Sequence, residues 1–367
     1  LLERDPIIIN NNQIRSQIKG KRVLVTGAAG SIGSEIVRQL LPYAPEMIIM
    51  CDQAETPLHN IELELQERGT RVNCISFLAD ITNEKRMDGL FDSFKPHYVY
   101  HAAAYKHVPM MELCPTEAVR NNVIGTKIVS DLAVKYHAER FVMISTDKAV
   151  NPTNVMGASK RMAEIYVQGL SSEKNIATKF ITTRFGNVLG SNGSVILRFK
   201  DQIAQGGPVT VTHPNIIRYF MTIPEATQLV LEAGSMGNGG EIFVFDMGKP
   251  VPIVDLARKM IRLSGLVPGV DIDIKYTGLR PGEKLYEELL NDAENTLPTH
   301  HEKILIAKVR EASVTNIEQE FLELFQLASS ADNIMSMVAK MKELVPEYIS
   351  NNSIYEKLDA SVISIAK

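Results

Sequence analysis

The sequence predicts an α/β protein with a Rossmann-type, doubly wound parallel sheet and a smaller mixed α/β domain. Two observations lead to this prediction. Short apolar runs typical of buried strands alternate with segments whose apolar residues recur at helical spacing. The first strand also runs into a first helix through the turn Gly27-Ala28-Ala29-Gly30-Ser31-Ile32-Gly33, the place where such sheets bind phosphate groups.

Six predicted strands define the sheet. They cover residues 22–26, 47–51, 72–78, 98–102, 141–145 and 180–185. Helices are predicted over 34–41, which ends before Pro42, and over 58–67, because apolar residues recur there at helical spacing. A β-rich run at 242–246 is expected to return to the sheet, and the periodicity over 317–348 predicts peripheral helices.

These patterns divide the chain into four parts. Residues 1–20 are polar, without strong periodicity, and predict a lead-in linker. Residues 21–186 form the predicted cofactor-binding domain, to which 235–250 return. The smaller substrate domain is assigned to 187–234 and 251–310, where glycine and proline are more frequent, and C-terminal helices are assigned to 311–367.

Composition excludes several classes of protein. The net charge of -4 over 367 residues gives no reason to expect a nucleic-acid surface. Cys51, Cys74 and Cys114 show no paired spacing, which favours reduced thiols in a cytoplasmic setting and no metal site. No apolar run reaches the ~18 residues of a membrane span. Because the chain begins without methionine, we expect it to be part of a longer protein.

The glycine turn is the predicted pyrophosphate site, because a backbone without side chains lets the anion approach a helix N-terminus. A tight strand-to-helix turn is the alternative. Asp52 ends the second strand, where a carboxylate binds ribose hydroxyls and repels a 2′-phosphate, so NAD is favoured over NADP. Asp80 closes the third strand beside Ile81, next to the expected adenine, although Asp80 is equally a candidate helix N-cap.

The Gly-x-x-Gly-x-x-Gly spacing resembles the extended short-chain dehydrogenase/reductase superfamily. His101-Ala102-Ala103-Ala104 and Asn122-Val123-x-Gly125-Thr126 are similar to landmarks of that superfamily. The resemblance implies a bound NAD. Its predicted contacts are Gly27, Gly30, Ser31, Ile32, Gly33, Asp52, Asp80, Ile81, Ala102, Ala103, Ala104, Asn122, Ser145 and Lys160.

The superfamily's usual Tyr-x-x-x-Lys helix is altered in this chain, which reads Met156-Gly157-Ala158-Ser159-Lys160. Lys160 is present, so a cation on the nicotinamide ribose is expected. Met156 stands in the tyrosine position and transfers no proton. One interpretation is therefore a nucleotide-binding scaffold that has lost catalysis.

A second polar cluster, Ser145-Thr146-Asp147-Lys148, follows the apolar run 141–144 at the carboxyl end of a strand. In an extended backbone Asp147 would face away from Thr146 and Lys148, so the chain must bend if all three serve one substrate.

The cluster resembles the Thr-Asp-Lys signature of nucleotide-sugar 4,6-dehydratases. Three more motifs narrow the resemblance: Arg184-Phe185-Gly186-Asn187-Val188, Arg218-Tyr219-Phe220-Met221-Thr222 and Gly278-Leu279-Arg280-Pro281-Gly282-Glu283-Lys284. With Met156, they are similar to the large membrane-anchored bacterial UDP-N-acetylglucosamine 4,6-dehydratases, the PglF, WbpM and CapD group. The resemblance covers about residues 1–302.

That resemblance implies a reaction. Hydride transfer from C4 to NAD⁺ gives a 4-ketone, which acidifies C5–H; a base removes that proton, an acid protonates the leaving C6 hydroxyl, and the hydride returns to C6. NAD would stay tightly bound and be recycled each turnover, with C5 configuration retained. Lys148 is implied as the C5 base, Asp147 as the acid, and Thr146 as the hydrogen-bond partner of the C4 hydroxyl.

The protonation of this site leaves questions open. We expect burial and the cationic nicotinamide to lower the pKa of Lys148; the alternatives are a salt bridge to Asp147 and a solvated loop residue. The acceptor of the C4 hydroxyl proton stays undecided, with a relay through Thr146 to Asp147 or Lys160 as a candidate.

The UDP-sugar needs cations and backbone donors. We predict substrate contacts from Lys106, Asn187, Ser194, Val195, Arg198, Thr210, Arg218, Arg280 and Glu283, with His107 near the sugar. Arginine matches phosphate oxygens, whereas surface salt bridges are the alternative for each arginine singly. Thr210 lies in a short strand that would pair with the uracil edge, and Glu283 is implied to bind ribose hydroxyls.

The resemblance further implies a homo-oligomer attached to the cytoplasmic face of the inner membrane by a segment outside this chain, and no nucleic-acid partner. Two other functions stay open: a nucleotide-sugar 4-epimerase, which has no use for an acid–base pair at C5 and C6, and a non-catalytic NAD-sensing protein.

Overall fold

The computed structural model describes residues 7–288, 296–307, 314–329 and 333–359. The strands in these ranges are β1 (Arg22–Thr26), β2 (Met47–Asp52), β3 (Asn73–Leu78), β4 (Tyr98–His101), β5 (Arg140–Thr146), β6 (Lys179–Phe185), β7 (Asn187–Leu189), β8 (Val209–Val211), β9 (Ile217–Arg218), β10 (Phe220–Thr222), β11 (Ile242–Phe245), β12 (Val251–Pro252), β13 (Ile274–Tyr276), β14 (Thr296–Pro298) and β15 (Ile304–Ala307). The α-helices are α1 (Asn11–Ile18), α2 (Ser31–Leu40), α3 (Glu55–Glu67), α4 (Glu84–Phe94), α5 (Val108–Leu113), α6 (Pro115–Ala118), α7 (Gly125–Lys135), α8 (Val155–Ser172), α9 (Val195–Ala204), α10 (Ile223–Met236), α11 (Ile253–Leu263), α12 (Val314–Ala328) and α13 (Ile334–Leu344).

The main sheet confirms the predicted fold class. Its order is β3-β2-β1-β4-β5-β6-β11-β15-β14, and the first seven strands are parallel. Strands β15 and β14 add an antiparallel edge. The chain runs outward from β1 to β3 and then returns to β4 on the other side of β1, so a switch point lies between β1 and β4. Ligands bind at such points in open α/β sheets.

Helices cover both faces of the sheet and bury its apolar strands. One face is covered by α4, α7 and α8, with α12 and α13 packed on α8, and the other is covered by α2, α3 and α10, with α1 packed on α10. The strands are near-continuous runs of buried apolar residues, as a sheet covered on both faces requires.

A smaller unit stands over the carboxyl ends of the strands. It has its own apolar core, formed mainly by α9, α11 and β8. Strand β8 pairs with β13, and β9 pairs with β12. The domain boundaries stay predictions, but β15, which we assigned to the smaller domain, is a strand of the main sheet, and α10, assigned to the same domain, packs against that sheet.

Both ends of the described chain are more ordered than the sequence predicts. Within the predicted linker, α1 begins at an Asn10 side-chain cap and buries Ile14 and Ile18. The C-terminal helices are also not peripheral, because Phe321 of α12 and Met341 of α13 are buried in the core that covers α8. No helix in the described ranges is long and apolar enough to span a bilayer.

Candidate active site

The carboxyl ends of the parallel strands open into a crevice of about 960 Å³. Its walls come from both the main sheet and the smaller unit. The glycine turn and the residues after β4 and β5 form one side, and α9, β8 and loop 278–284 form the other. The crevice therefore lies where the sequence predicts both the cofactor and the substrate.

The glycine turn has the geometry that a pyrophosphate site requires. Gly27 has a φ of +66°, and a Cβ there would lie 2.6 Å from the backbone nitrogen of Ala103. Gly30 caps α2 without any side-chain hydrogen bond to its first turn, so N–H groups of that turn are available to an anion. Gly30, Ser31, Ile32 and Gly33 line the crevice, and this backbone fits a dinucleotide.

The two predicted strand-end carboxylates lie outside the crevice wall. Asp52 is fixed beside the glycine turn, where its oxygens accept from the backbone nitrogens of Ala29 and Ala54, both at 2.9 Å. Asp80 accepts from the Thr82 nitrogen at 2.8 Å. Asp80 is not the N-cap of α4, because the Asn83 side chain has that role. The predicted ribose and adenine contacts of both carboxylates stay predictions.

The residues after β4 are held in place by a buried amide. Asn122 accepts from the Tyr105 nitrogen at 2.8 Å and donates to the Tyr105 oxygen and to Ser159 Oγ, both at 3.0 Å. Asn122 lies outside the crevice wall, where these bonds shape the loop, and its predicted cofactor contact stays a prediction. Ala102 and Ala104 line the crevice. Ala103 lies against the glycine turn, and Ile81 is buried against Gly125.

Helix α8 brings Met156 and Lys160 to the crevice. Lys160 is 3% exposed, and its ammonium group makes no hydrogen bond or ion pair with the described residues. Burial lowers the pKa of Lys160 to about 8, an effect that Glu164 partly opposes. A buried cation without a partner at the crevice wall fits the predicted contact with a ribose hydroxyl.

Below this wall an ion-pair network joins β5, β6 and α8. Ser145 donates to Glu164 Oε1 at 2.6 Å, and Arg184 binds both oxygens of Glu164 at 2.9 and 2.7 Å. Burial would raise the pKa of Glu164, but Arg184 and Arg161 hold it at about 2. The predicted cofactor residue Ser145 thus lines the crevice while its hydroxyl anchors α8.

Replacing Arg184 with methionine is expected to lower the free energy of unfolding by about 3 kcal/mol. Removing one partner of a buried ion pair usually costs about 3–5 kcal/mol, and Arg161 at 3.2 Å still partly compensates Glu164. Urea unfolding measures the loss. Arg258, in an exposed pair with Asp255, is the matched control and should change stability by less than about 1 kcal/mol. Equal losses in the two variants would contradict the buried network.

The chain bends directly after β5, as the shared role of Thr146, Asp147 and Lys148 demands. A 3₁₀ turn, Asp147–Ala149, begins at Thr146. Asp147 Oδ1 accepts from Thr146 Oγ1 at 2.9 Å and from Lys148 Nζ at 3.0 Å. Thr146 and Lys148 line the crevice. Asp147 lies behind them with a fully buried side chain, so in this arrangement it reaches a ligand only through its neighbours.

The structure also places a carboxylate that the sequence analysis missed. Glu287 lines the crevice and lies 2.7 Å from Lys148 Nζ. Burial lowers the pKa of Lys148, but Asp147 and Glu287 outweigh it, and the net shift is upward. Our expectation of a lowered pKa is therefore wrong for this arrangement, and the salt-bridge alternative holds. Only the position of Glu287 shortly after loop 278–284 hinted at its role.

Helix α9 presents an anion site to the crevice. Its N-cap, Ser194, makes no capping bond, and the buried Ser194 Oγ has no partner among the described residues. Val195, which begins the helix, lines the crevice with Ser194 and Arg198. An unsatisfied hydroxyl beside an open helix N-terminus fits the diphosphate that we predicted here.

The three predicted arginines differ in their availability. Arg198 is exposed and makes no ion pair with the described residues. Arg218 is committed to Glu287 at 3.1 Å and to Glu283 at 3.4 Å. Arg280 is half exposed and binds Glu283 at 3.2 Å. Arg198 and Arg280 thus stay candidates for the diphosphate, whereas Arg218 is held by Glu287 and Glu283.

Four further residues that we predicted near the substrate lie at the rim or the wall. Thr210 lines the crevice, but its backbone N–H already donates to Gln202 Oε1 at 3.0 Å and is not free to donate to a ligand. Lys106 lies 3.5 Å from Ser191 Oγ, and His107 lies beside it at the mouth. Asn187 lines the crevice and donates to Glu287 at 3.0 Å, so it joins the Lys148 cluster.

Residues after α13 form hydrogen bonds with loop 278–284 on the substrate side of the crevice. The nitrogen of Gly282, in loop 278–284, donates to the Asn351 oxygen at 2.7 Å, and Asn351 Nδ2 donates to the Glu283 oxygen at 2.9 Å. Asn154, the N-cap of α8, also donates to the Gly282 oxygen at 3.0 Å. Residues beyond the range of the sequence resemblance therefore position the loop that carries Arg280.

Comparison with known proteins identifies the family of this chain. Residues 23–309 match the family model described as polysaccharide biosynthesis protein. The chain belongs to this family. The polysaccharide biosynthesis protein family includes nucleotide-sugar dehydratases and epimerases of the NAD-dependent extended short-chain dehydrogenase/reductase superfamily, as the sequence predicts, and the resemblance to the CapD and PglF type is confirmed.

Three relatives illustrate the proteins to which this chain is similar. The capsular polysaccharide biosynthesis protein CapD of Staphylococcus aureus is 53% identical over 319 residues, 87% of this chain and 53% of CapD. The UDP-N-acetylglucosamine 4,6-dehydratase (inverting) of Campylobacter jejuni is 33% identical over 76% of this chain and 80% of that enzyme. The UDP-glucose 4-epimerase of Rickettsia rickettsii is 33% identical over 75% and 79%. This chain therefore spans about half the length of CapD.

Two solved structures share the fold of this polysaccharide biosynthesis family member. Pen from Bacillus thuringiensis is 33% identical, with a TM-score of 0.73 over 81% of this chain and 92% of Pen. The dTDP-glucose 4,6-dehydratase DesIV from Streptomyces venezuelae, solved with NAD and TYD bound, has a TM-score of 0.64 at 20% identity over 74% of this chain and 88% of DesIV.

Proposed function

We propose that this chain catalyses the NAD⁺-dependent 4,6-dehydration of UDP-N-acetylglucosamine to a UDP-4-keto-6-deoxy-N-acetylhexosamine. The observation that carries the proposal is the Asp147–Lys148 pair beside Thr146 at the crevice wall. Elimination across C5 and C6 needs a base and an acid together, whereas epimerisation at C4 needs neither at those atoms. The Campylobacter relative supports the substrate assignment by its name.

NAD⁺ fits the main-sheet side of the crevice. The glycine turn and the open N-terminus of α2 would hold its pyrophosphate, Asp52 its adenosine ribose, and Lys160 its nicotinamide ribose. The bound cofactor supplies reversible hydride transfer. The family is NAD-dependent, and DesIV was solved with NAD, which supports this choice.

The side chains of this chain would carry the proton transfers. One proton that moves from Lys148 to Asp147 across their 3.0 Å contact leaves a neutral amine and a neutral acid. The amine takes the C5 proton of the 4-ketosugar, and the C5–H electron pair forms the C5–C6 double bond as the C6–O bond breaks. Asp147 gives its proton to the leaving hydroxyl through Thr146 Oγ1, so that water departs.

The remaining parts of the proposal concern stereochemistry and assembly. The C4 hydroxyl proton passes through Thr146 to Lys160 in its neutral form; the alternative acceptor is Asp147, in which case Lys148 starts the cycle as the neutral amine and gives no proton to Asp147. We propose retention at C5, although the Campylobacter relative is named as inverting, so the product configuration needs measurement. We also propose a homo-oligomer at the cytoplasmic face of the inner membrane, anchored through a segment outside this chain.

Product mass tests the proposal. The purified protein is incubated with UDP-N-acetylglucosamine, and the nucleotide sugar is followed by mass spectrometry and proton NMR. Loss of one water supports dehydration, and NMR then gives the configuration at C5. Unchanged mass with inversion at C4 would instead identify a 4-epimerase, the activity for which the Rickettsia relative is named. An unchanged sugar with NAD bound would favour the NAD-sensing alternative.

A further inference from the structure

The Glu287 carboxylate contacts two cations and one amide at the crevice wall. Glu287 Oε1 lies 2.7 Å from Lys148 Nζ and 3.1 Å from Arg218 Nε, and Oε2 accepts from Asn187 Nδ2 at 3.0 Å. The side chain is 3% exposed. Three charged or amide donors on one buried carboxylate fix its orientation, because charge-assisted hydrogen bonds are the strong ones.

We propose that Glu287 is a positioning residue for the Asp147–Lys148 pair, holding the Lys148 ammonium group at the crevice wall through the anchor that it shares with Arg218. The inference rests on the proposed dehydration, since it assigns Glu287 a part in that site. Lysine has a flexible four-carbon stem with about 2 kcal/mol of rotamer entropy. Nζ also contacts Asp147 Oδ1 at 3.0 Å and Asn187 Oδ1 at 3.4 Å, and Glu287 adds the shortest contact, at 2.7 Å, which restricts this motion.

The two carboxyl groups that contact the Lys148 ammonium group have pKa values shifted in opposite directions. Burial raises the pKa of Asp147, the negative charge of Glu287 raises it further, and Lys148 only partly opposes them. Burial would raise the pKa of Glu287 too, but Lys148 and Arg218 outweigh burial and hold it low. Glu287 therefore stays ionised, and Asp147 is the carboxyl group that takes a proton, as the proposed acid must.

Other charged groups face this cluster and are retained in the test. Arg218 approaches from β9, and Lys284 approaches from loop 278–284 and interacts with Asp147 and Glu287. Lys106, after β4, faces Lys148. All of these groups are retained in Glu287→Gln, so that substitution removes a single charge from the cluster.

The test is a carbon-13 NMR titration of aspartate carboxyl groups in the purified protein, with the Asp147 signal assigned by its loss in Asp147→Asn. In Glu287→Gln the midpoint of Asp147 is expected to fall by about 1–2 pH units, because a neighbouring negative charge is lost. Glu288→Gln is the matched control, since Glu288 is about half exposed and binds Asn151 and Lys284. In this variant the Asp147 midpoint should equal that of the unsubstituted protein. An unmoved midpoint in Glu287→Gln would overturn the inference.

Activity gives a second readout. The pH profile of kcat/KM in Glu287→Gln should move to lower pH as a whole, because the pKa values of Asp147 and Lys148 both fall when Glu287 is neutral. If Glu287 had a purely structural role, kcat/KM in Glu287→Gln would fall at every pH without a shift along the pH axis. That result would contradict the proposal. If Glu287→Gln does not fold, Glu287→Asp keeps the charge and should keep the Asp147 midpoint high; a fallen midpoint in that variant counts against the inference.

The proposed dehydration and the proposed positioning role of Glu287 can be contradicted independently of each other. The titration needs neither substrate nor added cofactor, so it reports on Glu287 even if the unsubstituted protein dehydrates nothing. Absence of dehydration with a normal titration shift overturns the proposed function alone. Dehydration with an unmoved Asp147 midpoint overturns the positioning role alone.

Discussion

Replacing Lys148 with alanine is expected to stop dehydration while leaving oxidation at C4 intact. Lys148 Nζ is the crevice-facing nitrogen of the Asp147–Lys148 pair, and loss of a general base costs about 10²–10⁴-fold in rate. The reaction is followed in deuterium oxide with UDP-N-acetylglucosamine. We expect no deuterium at C5 of recovered sugar, together with a transient fluorescence signal from reduced nicotinamide.

The surface residue Lys135 provides the control for this variant. Lys135→Ala removes the same charge from an exposed pair with Asp88, so its rate and its deuterium incorporation should equal those of the unsubstituted protein. Deuterium at C5 in the Lys148→Ala product would mean that another group removes the C5 proton. Loss of the reduced nicotinamide signal would place Lys148 in the oxidation step.

The second large effect is expected from Gly33→Ala at the predicted pyrophosphate turn. A Cβ on Gly33 would overlap the carbonyl oxygen of Gly27 and lie 2.9 Å from the Ala28 Cα. All of these atoms are backbone, so the turn itself must move, and overpacking of this kind costs about 1–3 kcal/mol. A displacement of roughly 1 Å can cost about 10²-fold where geometry is exacting, so we expect NAD affinity to fall by about that factor.

Calorimetric titration with NAD⁺ measures this effect, and thermal unfolding reports the stability. Gly89, within helix α4, is the matched glycine, because a Cβ there would meet no atom within 4 Å. Gly89→Ala should leave NAD affinity unchanged and increase stability by up to about 1 kcal/mol, since alanine favours helix. Equal NAD affinity in Gly33→Ala and the unsubstituted protein would show that the cofactor does not depend on this turn.

The sequence predicted the elements that local patterning controls. The apolar runs gave β1, β2, β4, β5 and β6 to within about two residues, because a strand buried on both faces must be continuously apolar. Alternation of strands and helices predicted the parallel sheet. The glycine spacing predicted the turn, since the close approach of Gly27 to Ala103 excludes a side chain.

Patterning was less informative where burial comes from distant contacts. Helix α1 has a mostly polar sequence, and its Ile14 and Ile18 are buried in the core that includes α10. Helices α12 and α13 are periodic, but only their packing on α8 shows that they belong to the core. Periodicity indicates an apolar face and does not identify the element that covers it.

At the site, the sequence alone placed Thr146, Asp147 and Lys148 together at the end of a strand, and adjacency in the chain was enough for that. Only the tertiary structure decided what they contact. Glu287 comes from the far side of the crevice and raises the pKa of Lys148, while Asp147 is covered by its own neighbours. The protonation state of a buried group depends on charges within a few ångströms, and those charges come from segments that only the fold brings together.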